Sequence, residues 1–469
     1  WQEKGVIMKT ENAWEKYTNT QLEEVDALSK AYRAFLNHGK TERECVNQIV
    51  ERAKKAGYKE LSALIKEGRT CKPGDKVYAV NMEKAVILFQ VGSEPMESGM
   101  NILGAHIDSP RLDVKQNPLY EDGDFAFLDT HYYGGIKKYQ WVTIPLAIHG
   151  VVVRKNGEKV IVNIGEKEDD PVFFVSDLLV HLAAEQLEKK ASKVIEGEAL
   201  DIIIGNRPLQ DEKDDSKKEK VQAFTLKLLE EQYGIEEKDF LSAELEIVPA
   251  GEAREAGLDR SMVLGYGQDD RVCAFSSLEA MLEVEDPKRT GCCILVDKEE
   301  IGSVGATGMQ SRFFENAVAE LLALTGCYTD LTLRRCLANS RMLSSDVSSA
   351  FDPTYAASFD KKNVAYLGHG MVFNKFTGSR GKSGSNDANA EYLGFIRKIM
   401  DDAGVTFQTA ELGKVDLGGG GTIAYILSLY GMNVIDCGVP VLNMHAPHEA
   451  TSKADLYEAK CGYKAFLEA

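Results

Sequence analysis

Five times along this chain a short apolar run, of the length a buried strand needs, ends in an acidic residue or a histidine, four times beside glycine or serine. The endings are "GAHIDSP" (His106, Asp108), "GYGQDDR" (Asp269, Asp270), "DKEEIGS" (Glu299, Glu300), "LSSDVSSAFDP" (Asp346) and "LNMHAPHE" (His445). Taken singly, each has a plain structural reading: a hydrogen-bonded core histidine, a cap, a turn, a solvated acidic pair. Taken together those readings become costly, because ionised carboxylates near a buried sheet need a positive partner. The pattern therefore favours a fold in which several strand ends converge on something cationic.

The rest of the sequence agrees with such a fold. At 469 residues the chain exceeds the roughly 250–300 at which a single core stops growing, so two domains are expected. Up to about residue 100 the pattern is helix, helix, strand, strand. "TQLEEVDALSKAYRAFLNHG" repeats apolar positions at helical spacing and stops at Gly39, and "TERECVNQIVERAKKAGY" opens with Thr41 and places Glu44 three residues on. "KAVILFQVG" and "NILGAHID" are short β-rich runs. Between 112 and 255 alternating runs such as "WVTIPLAIHGVVV" and "KVIVNIGE" indicate an inserted β-rich unit, and "QDEKDDSKKEKVQ" a solvated mixed-charge loop. From 256 strand and helix alternate again, which predicts an α/β domain with a helix-flanked mixed sheet made from residues 1–111 and 256–469.

Composition excludes several partners. A net charge of -18 opposes binding to nucleic acid or to an anionic membrane surface, and no stretch approaches the roughly 20 apolar residues of a membrane span. The first residues carry no apolar segment of a secretory signal, and the start at Trp1 rather than Met suggests a trimmed end, so they are set aside. Nine scattered cysteines without a C-x-x-C pair suit reduced thiols and a cytoplasmic location.

Two histidines and three carboxylates are what a pair of divalent ions requires: one imidazole and one carboxylate each, and a carboxylate between them. One glutamate of the "EE" pair would bind metal and the other move protons. In "GAHIDSP" an extended segment would place Asp108 on the same side as His106, where it can hold the ring nitrogen that does not face metal. Zinc is the default for such ligands, with cobalt or manganese fitting similar sets.

At these residues the sequence resembles the aspartyl aminopeptidase and vacuolar aminopeptidase I family of dinuclear metallo-aminopeptidases, over nearly its whole length. The ordered set "GAHIDSPRLDVK", "YYGGIKKYQW", "VSDLLVHLA", "GYGQDDRVCAF", "DKEEIGSVGATG", "SSDVSSAFDPTY", "GSRGKSGSNDANAEY", "GGGGTIA" and "NMHAPHEATSKADL" carries the likeness. The resemblance implies a zinc-peptidase type catalytic domain with an inserted dimerisation domain at 112–255. It further implies His106 and Asp346 on one ion, Glu300 and His445 on the other, Asp269 bridging, Glu299 as general base and Asp108 orienting His106. Short peptides would be the substrates and a homo-oligomer, a dodecamer in the family, the assembly, with His181 reaching a neighbouring subunit's site. Lys375 and Lys382 are candidates for meeting an acidic first residue. The chain has Gln268 where aspartyl members have Leu, and "HAPHE" where they have a His-Ser-Ile-Arg-Glu type stretch, so acidic, neutral and basic first residues all stay open.

The competing readings are another co-catalytic metallohydrolase, a carboxypeptidase or an N-acyl amino acid deacylase, and a non-catalytic self-assembling scaffold. The scaffold has no use for a base beside an intact ligand set. "GGGG" at 418–421 lacks the Lys-Ser/Thr of a phosphate loop, and is expected instead to permit close backbone approach near the site, ahead of a buried helix in "TIAYILSLYG".

Overall fold

The computed structural model describes residues 11–210 and 219–469, so the start at Trp1 and most of the mixed-charge segment, 211–218, lie outside the described residues. Contacts divide the chain into two units. One takes residues up to Asp108, Ala253–Met444 and Glu449–Ala469; the other takes Ser109–Glu252 and His445–His448. The sequence reading puts the boundaries at 112 and 255.

The first unit is organised by a nine-stranded sheet. In chain order its strands are β1 (Lys59–Glu60), β2 (Lys76–Asn81), β3 (Ala85–Gln90), β4 (Asn101–His106), β5 (Gly291–Val296), β6 (Arg341–Ser345), β7 (Met371–Asn374), β8 (Phe407–Thr409) and β9 (Asn433–Gly438). In space the order is β1-β2-β3-β5-β4-β6-β9-β7-β8. The central strands β5, β4, β6 and β9 run parallel. β3 and β7 flank them antiparallel, so the sheet is mixed, as expected.

Strands β3, β4 and β5 are buried at every position. Continuous apolar runs such as "CCILV" arise because both faces of the sheet are covered. Leu103, Ala105, Leu343, Ile435 and Cys437 face one core, and Ile102, Met342 and Val434 the other, with the period of two that a strand imposes.

Helix α1 (Asn19–His38) opens on a capping box of Thr18 and Gln21 and closes at Gly39; α2 (Glu42–Lys55) opens on the Thr41–Glu44 box. Helix α3 (Gln268–Glu283) takes up "RVCAFSSLEAMLEV" and begins earlier, with non-helical backbone at Asp269 and Asp270. Helix α4 (Phe313–Leu324) packs Phe314, Val318 and Leu321 into the second core. Helix α5 (Ala390–Ala403) and α6 (Lys453–Glu468) pack into the first through residues such as Ile396, Met400, Leu456 and Phe466. The segment "TIAYILSLYG" forms a short helix, Ala424–Ser428.

The second unit is built on a six-stranded sheet, ordered Lys159–Ile164, Leu146–Val153, Ala243–Pro249, Arg111–Asp122, Phe125–Tyr133 and Ile202–Gly205. All its pairings are antiparallel. Lys220, at the end of the mixed-charge segment, already starts a helix, Lys220–Tyr233. Buried His149 is structural, with Nε2 3.0 Å from Glu166 Oε1. All nine cysteines are free, and among the described residues no helix is long and apolar enough to cross a membrane.

At the end of β9 the strand passes very close to the turn that carries Asp346: a Cβ on Gly438 would stand 1.8 Å from the Asp346 carbonyl oxygen. Gly438→Ala is therefore expected to cost about 2–3 kcal/mol by overpacking and to displace Asp346. A lowered Tm checks this; a variant with wild-type Tm contradicts it.

Candidate metal centre

The parallel strands β4, β5 and β6 deliver His106, the Glu299–Glu300 pair and Asp346 from one edge of the sheet, the edge where α/β proteins place their sites. Asp269 arrives at the start of α3. Two groups of side chains come within ligand distance of one another: His106, Glu299 and Asp346, and His106, Asp269 and Glu300. His106 Nε2 lies 3.3 Å from Asp269 Oδ1, 3.8 Å from Asp346 Oδ1 and 3.9 Å from Glu299 Oε2.

Asp108 holds this arrangement. Its carbonyl oxygen is 3.0 Å and its Oδ1 3.3 Å from His106 Nδ1, which directs Nε2 toward the acidic cluster. The same carboxylate accepts the backbone N–H of Glu299 and of Glu300, each at 3.2 Å. One buried residue thus orients the imidazole and fixes the turn bearing both glutamates. That turn is a single 3₁₀ segment, Glu299–Ile301, entered through Lys298 at φ 70° and left through Gly302 at φ 97°.

Two residues that the sequence reading quoted but gave no role complete the support. Buried Glu449 accepts the N–H of Gln268 at 2.6 Å and of Asp269 at 3.1 Å, pinning the non-helical start of α3. Buried Asp270 accepts the N–H of His106 at 3.3 Å. Glu449 stands four residues after His445, at the start of a strand (Glu449–Ser452) paired with Met262–Gly265. That pairing, across 184 to 190 residues, is what the local pattern could not reveal.

The two ligand groups do not include the other expected site residues. Among the described residues neither ligand group includes His445; it falls in the second unit, at φ 67°, with Nδ1 2.8 Å from the Gly135 carbonyl oxygen. His181 is exposed on a single turn, Val180–Leu182, among exposed Leu179, Val180 and Leu182. Lys375 and Lys382 both bond the exposed Asp387, the second at 3.1 Å, so each ammonium already meets a carboxylate.

The electrostatics favour a cation. Burial, then the charge of Asp346, pushes the Glu299 carboxyl up to about 8, with Asp108 and Asp269 adding to the rise and His106 opposing it. Burial works against the His106 imidazolium, yet the carboxylates of Asp108, Asp269 and Asp346 around the ring hold its pKa well above the usual histidine range. His106 Nε2 is buried with no hydrogen-bond partner. An imidazole nitrogen facing carboxylate oxygens is a donor set that suits zinc.

A buried imidazole and carboxylates gathered at strand ends define a metallohydrolase centre. Residues 35–467 match the family model described as aminopeptidase I zinc metalloprotease (M18). The probable M18 family aminopeptidase 1 of Clostridium acetobutylicum is 63% identical over 462 residues, 98% of this chain and 99% of that one. The crystal structure of an M18-family aminopeptidase from Thermotoga maritima superposes with a TM-score of 0.93 at 44% identity, covering 98% and 99% of the two chains. Yeast mApe1, solved as a dodecamer, shares the fold with a TM-score of 0.76 at 20% identity over 95% and 97%. The chain belongs to the M18 family of zinc metallo-aminopeptidases, and is a zinc-dependent hydrolase that removes residues from the amino terminus of peptides.

The clustering of like charge sets a pH dependence for the metal-free protein. Glu299 titrates at 4.5 when unperturbed and at about 8 in the fold, so between those values the unfolded chain has released a proton that the folded one keeps. His106, raised above 6.5, stabilises the fold at low pH and loses that contribution as pH rises. Both push stability down with increasing pH. Chelator-treated protein is expected to show a falling Tm from about pH 5 to 8, and added zinc to restore it at the upper end. A metal-free Tm that rises across this window contradicts the arrangement.

Proposed function

We propose that the enzyme hydrolyses the first peptide bond of short peptides with two divalent ions, and that Glu299 is its general base. His106 and Asp346 would hold one ion, Glu300 and His445 the other, with Asp269 between them. The observation that carries the role of Glu299 is its place: adjacent in sequence to the proposed ligand Glu300, with Oε2 3.9 Å from His106 Nε2 inside the acidic group, where it can reach a water held there.

When bound, zinc supplies Lewis acidity, to the scissile carbonyl and to the attacking water. The chain's own residues do the rest. Asp108 keeps Nε2 of His106 turned inward and holds the Glu299 backbone in register. Glu299 takes the proton from the water and delivers it to the departing amine. Asp346 is kept in place by its own N–H, bonded to the Cys437 carbonyl at 2.8 Å.

The substrate preference at the first residue is not read from Lys375 and Lys382, because an acidic side chain would have to displace Asp387. Release of Asp, Leu and Lys from their p-nitroanilides ranks the three classes directly.

Glu299→Gln is expected to lower kcat by 100-fold or more while zinc content stays at the wild-type level, since a base is lost and no ligand is. Loss of zinc from this variant, or retention of more than about a tenth of the activity, would falsify the assignment.

The β-rich unit is proposed to join copies of the chain in a homo-oligomer, a dodecamer like that of yeast mApe1, in the cytoplasm. Exposed Leu179, at 54%, Val180, at 70%, and Leu182, at 68%, around His181 support this, because contiguous exposed apolar side chains favour association. In this reading His181 enters the site of a neighbouring subunit. His181→Ala is expected to keep the oligomer by light scattering and the zinc content while losing most of kcat. A fully active monomer would exclude the cross-subunit role.

A further inference from the structure

The glycine-rich loop at 418–421 was left without a task by the chemistry so far, and so was the buried carboxylate beneath it. Asp436 sits in β9 with a relative exposure of 2%. Its Oδ1 accepts the hydroxyl of Thr422 at 2.5 Å, and its Oδ2 is buried with no hydrogen-bond partner. Ser344, its cross-strand neighbour in β6, also has a buried hydroxyl without a partner. Burial pushes the Asp436 carboxyl up to about 7, the Thr422 bond opposing and the charge of Asp346 adding to the rise.

The register places these groups beside the metal centre. Gly104, Ser344, Asp436 and Asn374 form one row across β4, β6, β9 and β7. Two residues further along, β4 reaches His106 and the chain after β6 reaches Asp346. Neighbouring Val434 and Met342 face the second core, so with a period of two Asp436 and Ser344 point to that same face. The chain that follows the loop packs there as well, through Ile423 and Ala424. Asp346 is joined to the same strand by its bond to Cys437.

The loop is made of glycine because it threads between other backbones. A Cβ on Gly418 would be 1.6 Å from the Leu412 carbonyl oxygen, and one on Gly419, at φ 123°, would be 2.4 Å from the Ser379 Cα. Its position is fixed by the bond of Gly420 N–H to the Thr377 carbonyl at 2.9 Å and by Thr422 on Asp436. What it leaves exposed, at Gly419 to Gly421, is main chain without side chains.

We propose that Asp436 is a positioning residue for the substrate: through Thr422 it fixes the Gly418–Gly421 backbone as the edge on which the main chain of the peptide binds. The inference rests on the reading of His106 and Asp346 as ligands. A buried carboxylate with an unsatisfied oxygen is expensive to keep, and a tether to a substrate-bearing loop explains its presence where a plain core residue would be cheaper.

The test separates binding from chemistry and from metal loading. Thr422→Val removes the hydroxyl without changing the shape. In the zinc-loaded enzyme it is expected to raise KM for an alanyl or leucyl dipeptide about fivefold to tenfold, with kcat within about twofold, as loss of a ground-state contact requires. Zinc content should be unchanged. Thr422→Ser should restore KM, and Asp436→Asn, which keeps an acceptor oxygen, should stay near wild type, whereas Asp436→Leu should behave as Thr422→Val. A Thr422→Val enzyme with wild-type KM overturns the proposal, as does one whose kcat and zinc content fall together, the mark of a purely structural bond. Asp346→Ala measured alongside keeps the two readings apart: if it retains full zinc, the ligand assignment fails, and if it loses zinc while Thr422→Val keeps its KM, only the role of Asp436 fails.

Discussion

Carboxylates crowded around one buried imidazole are the constraint on which the rest of this structure depends. His106, Asp108, Asp269 and Asp270 are all almost completely buried, and Glu299 and Asp346 close the cluster with little exposure. Water cannot screen such a group, so its mutual repulsion has to be met by protons or by metal. Burial first, and then the charges of Asp346, Asp108 and Asp269, raise the Glu299 carboxyl to about 8, so in the metal-free state it keeps a proton that an exposed glutamate would release. The same property that makes the site a drain on folding stability makes it a strong site for zinc.

Holding that cluster together requires neutral donors, and the fold supplies them from backbone. Asp108 and Glu449 each collect two N–H groups from turns that carry proposed ligands or the base. The effect is to separate two jobs. The residues proposed to bind metal or move protons sit at strand ends, a helix start and turns, and the acids behind them fix those segments. Rigid placement of this kind, more than the identity of any one ligand, decides whether a base lies within reach of its proton.

Much of this was legible in the sequence because it is local. The capping box at Thr41, the all-apolar strand "CCILV" and the His106–Asp108 spacing each follow from a few neighbouring residues, and the structure contains all of them. The five acidic or imidazole strand endings were visible as a set, and four of them meet. What stayed hidden needed contacts between distant segments. Glu449 acts on a turn 180 residues earlier, and Asp436 acts on Thr422 across a strand and a loop. His445 was legible as a histidine after a strand, while its neighbour Gly135, 310 residues away, was not. Family resemblance supplied roles that spacing alone left open, and residues 35–467 carry the family's match.

Glycine does in this molecule what the acids require. Gly438 lets β9 pass against the carbonyl of Asp346, and Gly418 and Gly419 let the loop thread between Leu412 and Ser379. In each case a side chain would push apart two segments whose separation sets the position of a functional group. The glycine run is therefore no phosphate loop and no linker; it is a chain thin enough to pass between Leu412 and Ser379. Because it is thin it is also soft, since glycine resists bending least. A loop of that kind holds one position only where something stiff anchors it, and the stiff element within reach is the central sheet. Asp436, set in β9 in the row two residues before His106 and Asp346, is the point at which the loop is tied to that sheet.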